Sequence, residues 1–332
     1  MEEKTSVWKR LRSSREVSLV LILVIMLIAV ECIQYFGGNG HFLSPTNIGQ
    51  IFRNNALTML MALGMLCVLL TAGIDISVAS TLGFCGMVVG MLQKNHICQN
   101  TLLLFLLAAV IGLGCGLLNG LIIAKCHIAP IIVSMGFMYI WRGLAYVVSG
   151  NQWASGADVA HFAEFGKDGS AGPYIVLIVA YVAFFIIMKW TRFGRRIYAV
   201  GSNSEAASVS GINVDRVLIS VYMIMGFLAG LSGALSVSIY ASAQPNMQYG
   251  KEMDVIAACV IGGVSMNGGR GSVVGTFLGA LFYAVLAKAL PLVGLDSIWQ
   301  NLIKGVVVLA VVLLNTLTQR AMDRSNLERR EM

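Results

Sequence analysis

From Ala56 to Leu92 the chain is apolar almost without interruption, and only "TAGID" at 71–75 breaks the run. As a single helix it would reach about 55 Å, against a bilayer core of about 30 Å. It must therefore turn back or break at "TAGID", which makes two spans of it. Further apolar runs lie at about 17–36, 101–124, 129–149, 173–190, 217–241, 253–264, 271–290 and 298–317. The sum is about ten membrane segments, an even number that returns both termini to one side. Composition agrees: of 332 residues 57% are hydrophobic and 12% are charged, where a soluble domain carries about a quarter charged. The expected fold is all-α, a polytopic transmembrane helical bundle. It divides into a basic tail at 1–16, a membrane domain at 17–317 with a polar loop at 191–216, and a second tail at 318–332.

The net charge of +7 is not spread over a face. Lys4, Lys9, Arg10, Arg12 and Arg15 precede the first apolar run; Lys189, Arg192, Arg195, Arg196 and Arg216 surround the central loop. Arg320, Arg324, Arg329 and Arg330 end the chain. Basic residues in short segments beside spans mark the cytoplasmic side. Both termini and the central loop are thus expected there, and the central loop falls on that side by span counting too. No basic face interleaved with aromatic residues points to nucleic acid. The seven cysteines form no CxxC or Cys/His cluster and read as small apolar packers. "ECIQYF" follows the first apolar run where a cleavage site would stand, so an uncleaved first span is expected.

No glycine loop ending in Gly-Lys-Ser/Thr, no HExxH and no GxSxG occurs. The chain has no phosphate cradle of its own, no metal site and no cofactor is implied, and ATP-driven work would need a partner. The short segment 253–264 ends in "GGVSMNGGRGS". It reads either as a broken span lining a cavity or as a plain turn between helices.

The polar segment "RRIYAVGSNSEAASVSGINVDR" at 195–216 lies between two apolar runs. Ser202 or Ser204 is placed as N-cap, Glu205 falls in the first turn, and Gly211 is placed to stop the helix. A short helix there presents a knob whose alanines could enter a cleft on a partner. The bland alternative is an amphipathic loop helix with no partner.

E-A-A-x-x-x-G in such a loop resembles the coupling motif of ATP-binding-cassette importer permeases. "TRFGRRIYAVGSNSEAASVSGINV", "LTAGIDISVAS", "LLNGLIIAKCHIAPIIVSMG", "RGLAYVVSG" and "SAQPNMQYGKEMDVIAACVIGGVSMNGGRGSVVGTFLGAL" resemble the ribose/sugar branch of that superfamily, in order, over nearly the whole chain. Ala72 and Ala79 stand where the family usually has glycine, and Lys251 where an aromatic residue is common. The last change bears on substrate identity.

The resemblance implies a type II importer-like permease subunit in a bacterial inner membrane. It implies a pairing with a second permease copy or paralogue, a cytoplasmic ATPase and an external sugar-binding protein. The cargo would be a pentose, hexose or deoxyhexose, or a sugar-like signalling molecule. The coupling residues carried over are Gly201, Asn203, Glu205, Ala206, Ala207 and Gly211.

A charge inside lipid costs at least about 2.5 kcal/mol and usually faces the bundle interior. On that ground Asp75, Arg142, Glu252 and Asp254 are candidates for the path or its gates, and the uncharged, polar Asn119 is taken with them. Asp75 would stabilise the turn at "TAGID" or belong to the gate and coupling surface. Asn119 would hydrogen-bond across helices or line the path. Asp254 would cap a helix or meet the docked binding protein. Lys304 would snorkel to the interface. The rival to the importer reading is a stand-alone secondary transporter or facilitator, which predicts a charged coupling-ion site deep in the bundle. Asp75 and Asp254 fall near span ends instead.

Overall fold

A computed structural model describes residues 15–37 and 40–292, and most of those between 299 and 313. Lys4, Lys9, Arg10, Arg12, Lys304 and the tail 318–332 lie outside the described residues, as does much of the expected last span.

The elements in chain order are α1 (Arg15–Phe36), α2 (Pro45–Leu70), α3 (Val78–Lys94), α4 (Thr101–Cys126) and α5 (Pro130–Ser149). A strand β1 (Ala154–Ser155), α6 (Ala160–Gly166) and α7 (Gly172–Trp190) follow. Then come α8 (Arg192–Ser202), α9 (Ser204–Val209), α10 (Val214–Tyr240), β2 (Ser242–Ala243), α11 (Lys251–Ile261) and α12 (Val273–Leu292). The chain is mostly helical, with one small departure from all-α. β1 and β2 pair antiparallel, Ala154 opposite Ala243 and Ser155 opposite Ser242.

Among the described residues, seven helices are long and apolar enough to cross a membrane: α1, α2, α4, α5, α7, α10 and α12. The apolar α3 is shorter, and α11 has only 11 residues. The expected run 56–72 starts earlier than its hydropathy shows, because Ser44 caps the helix through Asn47 N and Pro45 opens it. The break at "TAGID" is present. α2 stops at Leu70, Ala72 takes a left-handed backbone (φ 58), and α3 starts at Val78.

α2 is the core: every residue from Asn55 to Leu70 is buried. The outward sides of α1, α4, α5 and α7 instead expose Leu, Ile and Val, as a lipid solvent allows. Between apolar helices in lipid, close backbone approach replaces the hydrophobic drive. α4 and α10 show this: a Cβ at Gly112 or Gly116 would strike the α10 backbone at Gly226 or Tyr222.

The connections gather at two opposite ends. At one end lie the turn 71–77, the α4–α5 link, α8–α9 and the glycine-rich 262–272. They are joined by Gly269 N–H to Leu70 O (2.9 Å), Ser134 Oγ to Ile74 O (3.4 Å) and the ion pair Lys125–Asp215 (2.7 Å). At the other lie β1, α6 and the segment 241–250. There Lys94 Nζ donates to Trp153 O (2.8 Å), and Arg53 Nε donates to Gly166 O (2.7 Å).

Candidate functional site

The polar segment 191–216 holds two short helices rather than one. Thr191 caps α8, its side chain accepting from Gly194 N. Asn203, not Ser202 or Ser204, caps α9: its side chain accepts from Ala206 N at 2.9 Å. Asn203 is extended (φ −163, ψ 107) and forms the corner between the helices, so only it can aim a side chain at the α9 amides. Ser202 is still inside α8, and its hydroxyl donates back to Tyr198 O (2.8 Å). Gly211 ends the unit as expected, in the left-handed conformation (φ +82) with its N–H on Ser208 O (2.9 Å).

The α8–α9 unit is seated on the bundle by backbone. A Cβ on Gly201 would collide with the Leu70 carbonyl oxygen at the end of α2. The Tyr198 hydroxyl donates to Gly271 O at 2.8 Å, and burial raises the pKa of that phenol above its ordinary value. The glycine-rich 262–272 is thus a turn that clasps α8 and the end of α2 together. The glycine-rich stretch itself is a turn between the short α11 and α12.

Six residues expected to form the coupling knob come together, in two roles. Gly201, Asn203, Ala207 and Gly211 shape it: Ala207 is buried, so only Ala206 of the two alanines faces outward. Glu205 and Ala206 are exposed, and so is Val209, at 91%. Val209 was missed in the sequence. An aliphatic residue in a polar loop reads as an ordinary helix former until its direction is known.

The other candidates fall into two separate clusters. In the first, buried Asp75 accepts from Ser77 N (2.8 Å) and Ser77 Oγ (2.6 Å), and Ser77 Oγ accepts from Asn119 Nδ2 (2.8 Å). The Tyr222 hydroxyl and Asn119 Oδ1 are buried there without a hydrogen bond. Asp75 is thus hydrogen-bonded within the α2–α3 turn, and Asn119 of α4 bonds to the residue that precedes α3.

In the second, Arg142 of α5 donates through Nη1 to Pro245 O (3.1 Å) and Met247 O (3.0 Å), with Tyr249 against its guanidinium (5.8 Å). Glu252 is buried in the first turn of α11, just past the segment whose carbonyls Arg142 holds. Asp254 does not cap α11. Gly250 holds the cap position, and Asp254 pairs with Lys251 at 3.0 Å.

A cavity of about 450 Å³ between α2, α7 and α12 is lined by Phe52, Met59, Leu177, Tyr181 and Phe277 among others. The Tyr181 hydroxyl is already given to Met59 O (3.0 Å), so the cavity offers a polar solute nothing to bind. Cys67, Cys85, Cys115 and Cys259 are buried among apolar neighbours, while Cys32 and Cys126 are exposed. Among the described residues no group of His, Cys, Asp and Glu could hold a metal.

Long apolar helices around a buried α2, internal polar clusters at two ends and one seated, exposed short helix define a multi-pass membrane permease. The chain belongs to the family described as branched-chain amino acid transport system / permease component, whose model matches residues 47–312. It is 38% identical to the ribose import permease protein RbsC of Bacillus subtilis, covering 83% of this chain and 87% of the relative. It is 32% identical to the galactose/methyl galactoside import permease protein MglC of Escherichia coli K12, covering 90% and 93%. It is 33% identical to the autoinducer 2 import system permease protein LsrC of an Enterobacter species, covering 95% and 91%. No solved structure matches the chain.

Proposed function

We propose that this chain is the membrane-spanning permease subunit of an ATP-binding-cassette importer for a monosaccharide or a sugar-like molecule. The relatives named for ribose, galactose and autoinducer 2 import support that cargo class. It works with a cytoplasmic ATPase, a second permease copy or paralogue, and an external binding protein. The chain crosses the bacterial inner membrane about ten times with both termini in the cytoplasm, in a type II importer-like arrangement.

The observation that carries this reading is the α8–α9 knob. Glu205, Ala206 and Val209 face outward from α9, and Gly201 of the adjoining α8 rests against the Leu70 carbonyl. A seated knob transmits a push to α2, whereas a tethered loop would absorb it. Movement of the ATPase then has a solid path into the buried central helix. Only a difference in contact between the two states supplies the drive. Asp75, Asn119, Arg142, Glu252 and Asp254 act as gate and path residues by holding the two ends of the bundle. Tight binding of sugar in mid-membrane would slow release, so a weakly polar path suits cargo delivered from outside.

Glu205→Arg tests the knob. The expected outcome is loss of ATPase co-purification with normal membrane insertion and an unchanged melting profile. An ATPase that stays bound to this variant removes the coupling assignment. Uptake that persists without ATP or ATPase favours the facilitator instead.

A further inference from the structure

At the end opposite the knob, residues 242–250 run as a strap across α3. Its first residues are fixed by the β1–β2 pairing. Beyond that, the strap lies along one row of glycines on α3. A Cβ on Gly90 would strike the Ala243 side chain, and a Cβ on Gly86 would strike the Met247 methyl. A Cβ on Gly83 would come within 2.8 Å of the Arg142 guanidinium. The row at 83, 86 and 90 is one helical face, so α3 is grooved to take the strap.

The shortest side-chain hydrogen bonds to the far half of the strap come from one residue. Arg142 Nη1 donates to two strap carbonyls, those of Pro245 and Met247, at 3.1 and 3.0 Å. The strap's own polar side chains add only longer bonds, Gln248 Nε2 to Ser236 Oγ at 3.3 Å and Gln244 Nε2 to Ser242 Oγ at 3.2 Å. Three of its joints sit in the left-handed region: Ala241 (φ 48), Gln248 (φ 54) and Gly250 (φ 84). Two of these are not glycine, so the conformation is strained and has to be held. A second acceptor waits beside the latch. Glu252, two residues beyond the strap in the first turn of α11, is buried, and among the described residues no ion pair joins it to Arg142 in this arrangement. Arg142 Nε is buried and has no hydrogen-bond partner.

We propose that Arg142 is a positioning residue that latches the 242–250 strap over α3. In the transport cycle the guanidinium transfers from the Pro245 and Met247 carbonyls to the Glu252 carboxylate, which frees the far half of the strap. The β1–β2 pairing keeps the near half in place, so the strap swings about its paired end. Backbone carbonyls are good releasable partners. They fix position without a permanent charge, and a carboxylate outcompetes them once it is in reach. The latch rests on the importer reading for its place in a cycle, but its static half does not.

The test uses the complex with its co-purified ATPase in nanodiscs, with Cys32, Cys98 and Cys126 replaced by serine. Met247→Cys reports the far half and Ala243→Cys the paired half. Labelling by a hydrophilic maleimide is read at each site by mass spectrometry. With Arg142 intact and no nucleotide, both cysteines should be protected. Arg142→Ala should speed labelling at 247 by about tenfold or more, the loss of two charge-assisted bonds, and leave 243 protected. Arg142→Lys should fall between. Trapping with ATP and vanadate should expose 247 when Arg142 is intact, and Glu252→Gln should blunt that exposure.

A purely structural Arg142 would give exposure with no dependence on nucleotide or on Glu252. Equal protection of 247 with and without Arg142 overturns the latch. A complex that hydrolyses ATP yet never exposes 247 also overturns it, while leaving the permease reading intact. If Met247→Cys or Arg142→Ala does not assemble, Gln248→Cys replaces the reporter, and Arg142→Lys and Glu252→Gln carry the comparison.

Discussion

The two ends of this bundle are built by opposite means. At the α8–α9 end, backbone meets backbone: Gly201 rests on Leu70, and Gly269 N–H bonds to Leu70 O. At the strap end a guanidinium reaches across to carbonyls, and the chain bends through residues in the left-handed region. Backbone contact has no rotamer to change, so it passes displacement on. A long side chain can exchange partners, so it allows release. The end proposed to receive force is stiff, and the end proposed to open is held by a side chain.

The sharpest way to break this contrast is Gly201→Ala. The added methyl meets the Leu70 carbonyl, and neither side can rotate away. Helix propensity alone would favour alanine by up to about 1 kcal/mol, because Gly201 lies inside α8. Overpacking should reverse the sign and cost about 3 kcal/mol, read as a lowered melting temperature in detergent with loss of ATPase association. A neutral or stabilised variant would mean that the knob is loosely seated.

Between the ends, Ser77→Ala probes the Asp75–Ser77–Asn119 cluster. Asp75 keeps the Ser77 N–H, but the Asn119 amide loses its partner inside the bundle. The expected cost is about 1–3 kcal/mol. Adding Asn119→Ala removes the stranded group as well, so the double variant should lose less than the sum of the singles. Strict additivity would mean that Ser77 and Asn119 do not act together.

The sequence made the lipid-facing helices legible because their apolar runs match the bilayer in length. It also located the turn at "TAGID", since no other reading of Ala56–Leu92 fits a membrane. Gly211 was readable as a stop because glycine at that offset has one common use. Other features hid for physical reasons. Hydropathy could not show that α2 begins at Pro45, since "PTNIGQIFRNN" is polar and its helix is set by a cap. Asn203 lost to its serine neighbours because all three are good caps, and only the corner between α8 and α9 decides. Arg142 announced itself as a costly charge, yet its partners are carbonyls, which carry no side-chain signal. The β1–β2 pair, two residues on each side, is below any periodicity.

The smallest expected effect sharpens the comparison from the strap side. Gly250 is left-handed (φ +84), but a Cβ there would meet nothing within 4 Å. Gly250→Ala therefore pays only for backbone conformation, about 1 kcal/mol, where Gly201→Ala suffers a collision. The same chemical change at the two ends should thus differ about threefold in cost, given the overpacking figure. Function should divide the other way round. A strained hinge that no longer tolerates its angle shifts the strap's resting position, so Met247→Cys labelling should rise with little change in melting temperature. If Gly250→Ala destabilises as much as Gly201→Ala, the strap is packed as tightly as the knob. The two ends would then not differ in kind.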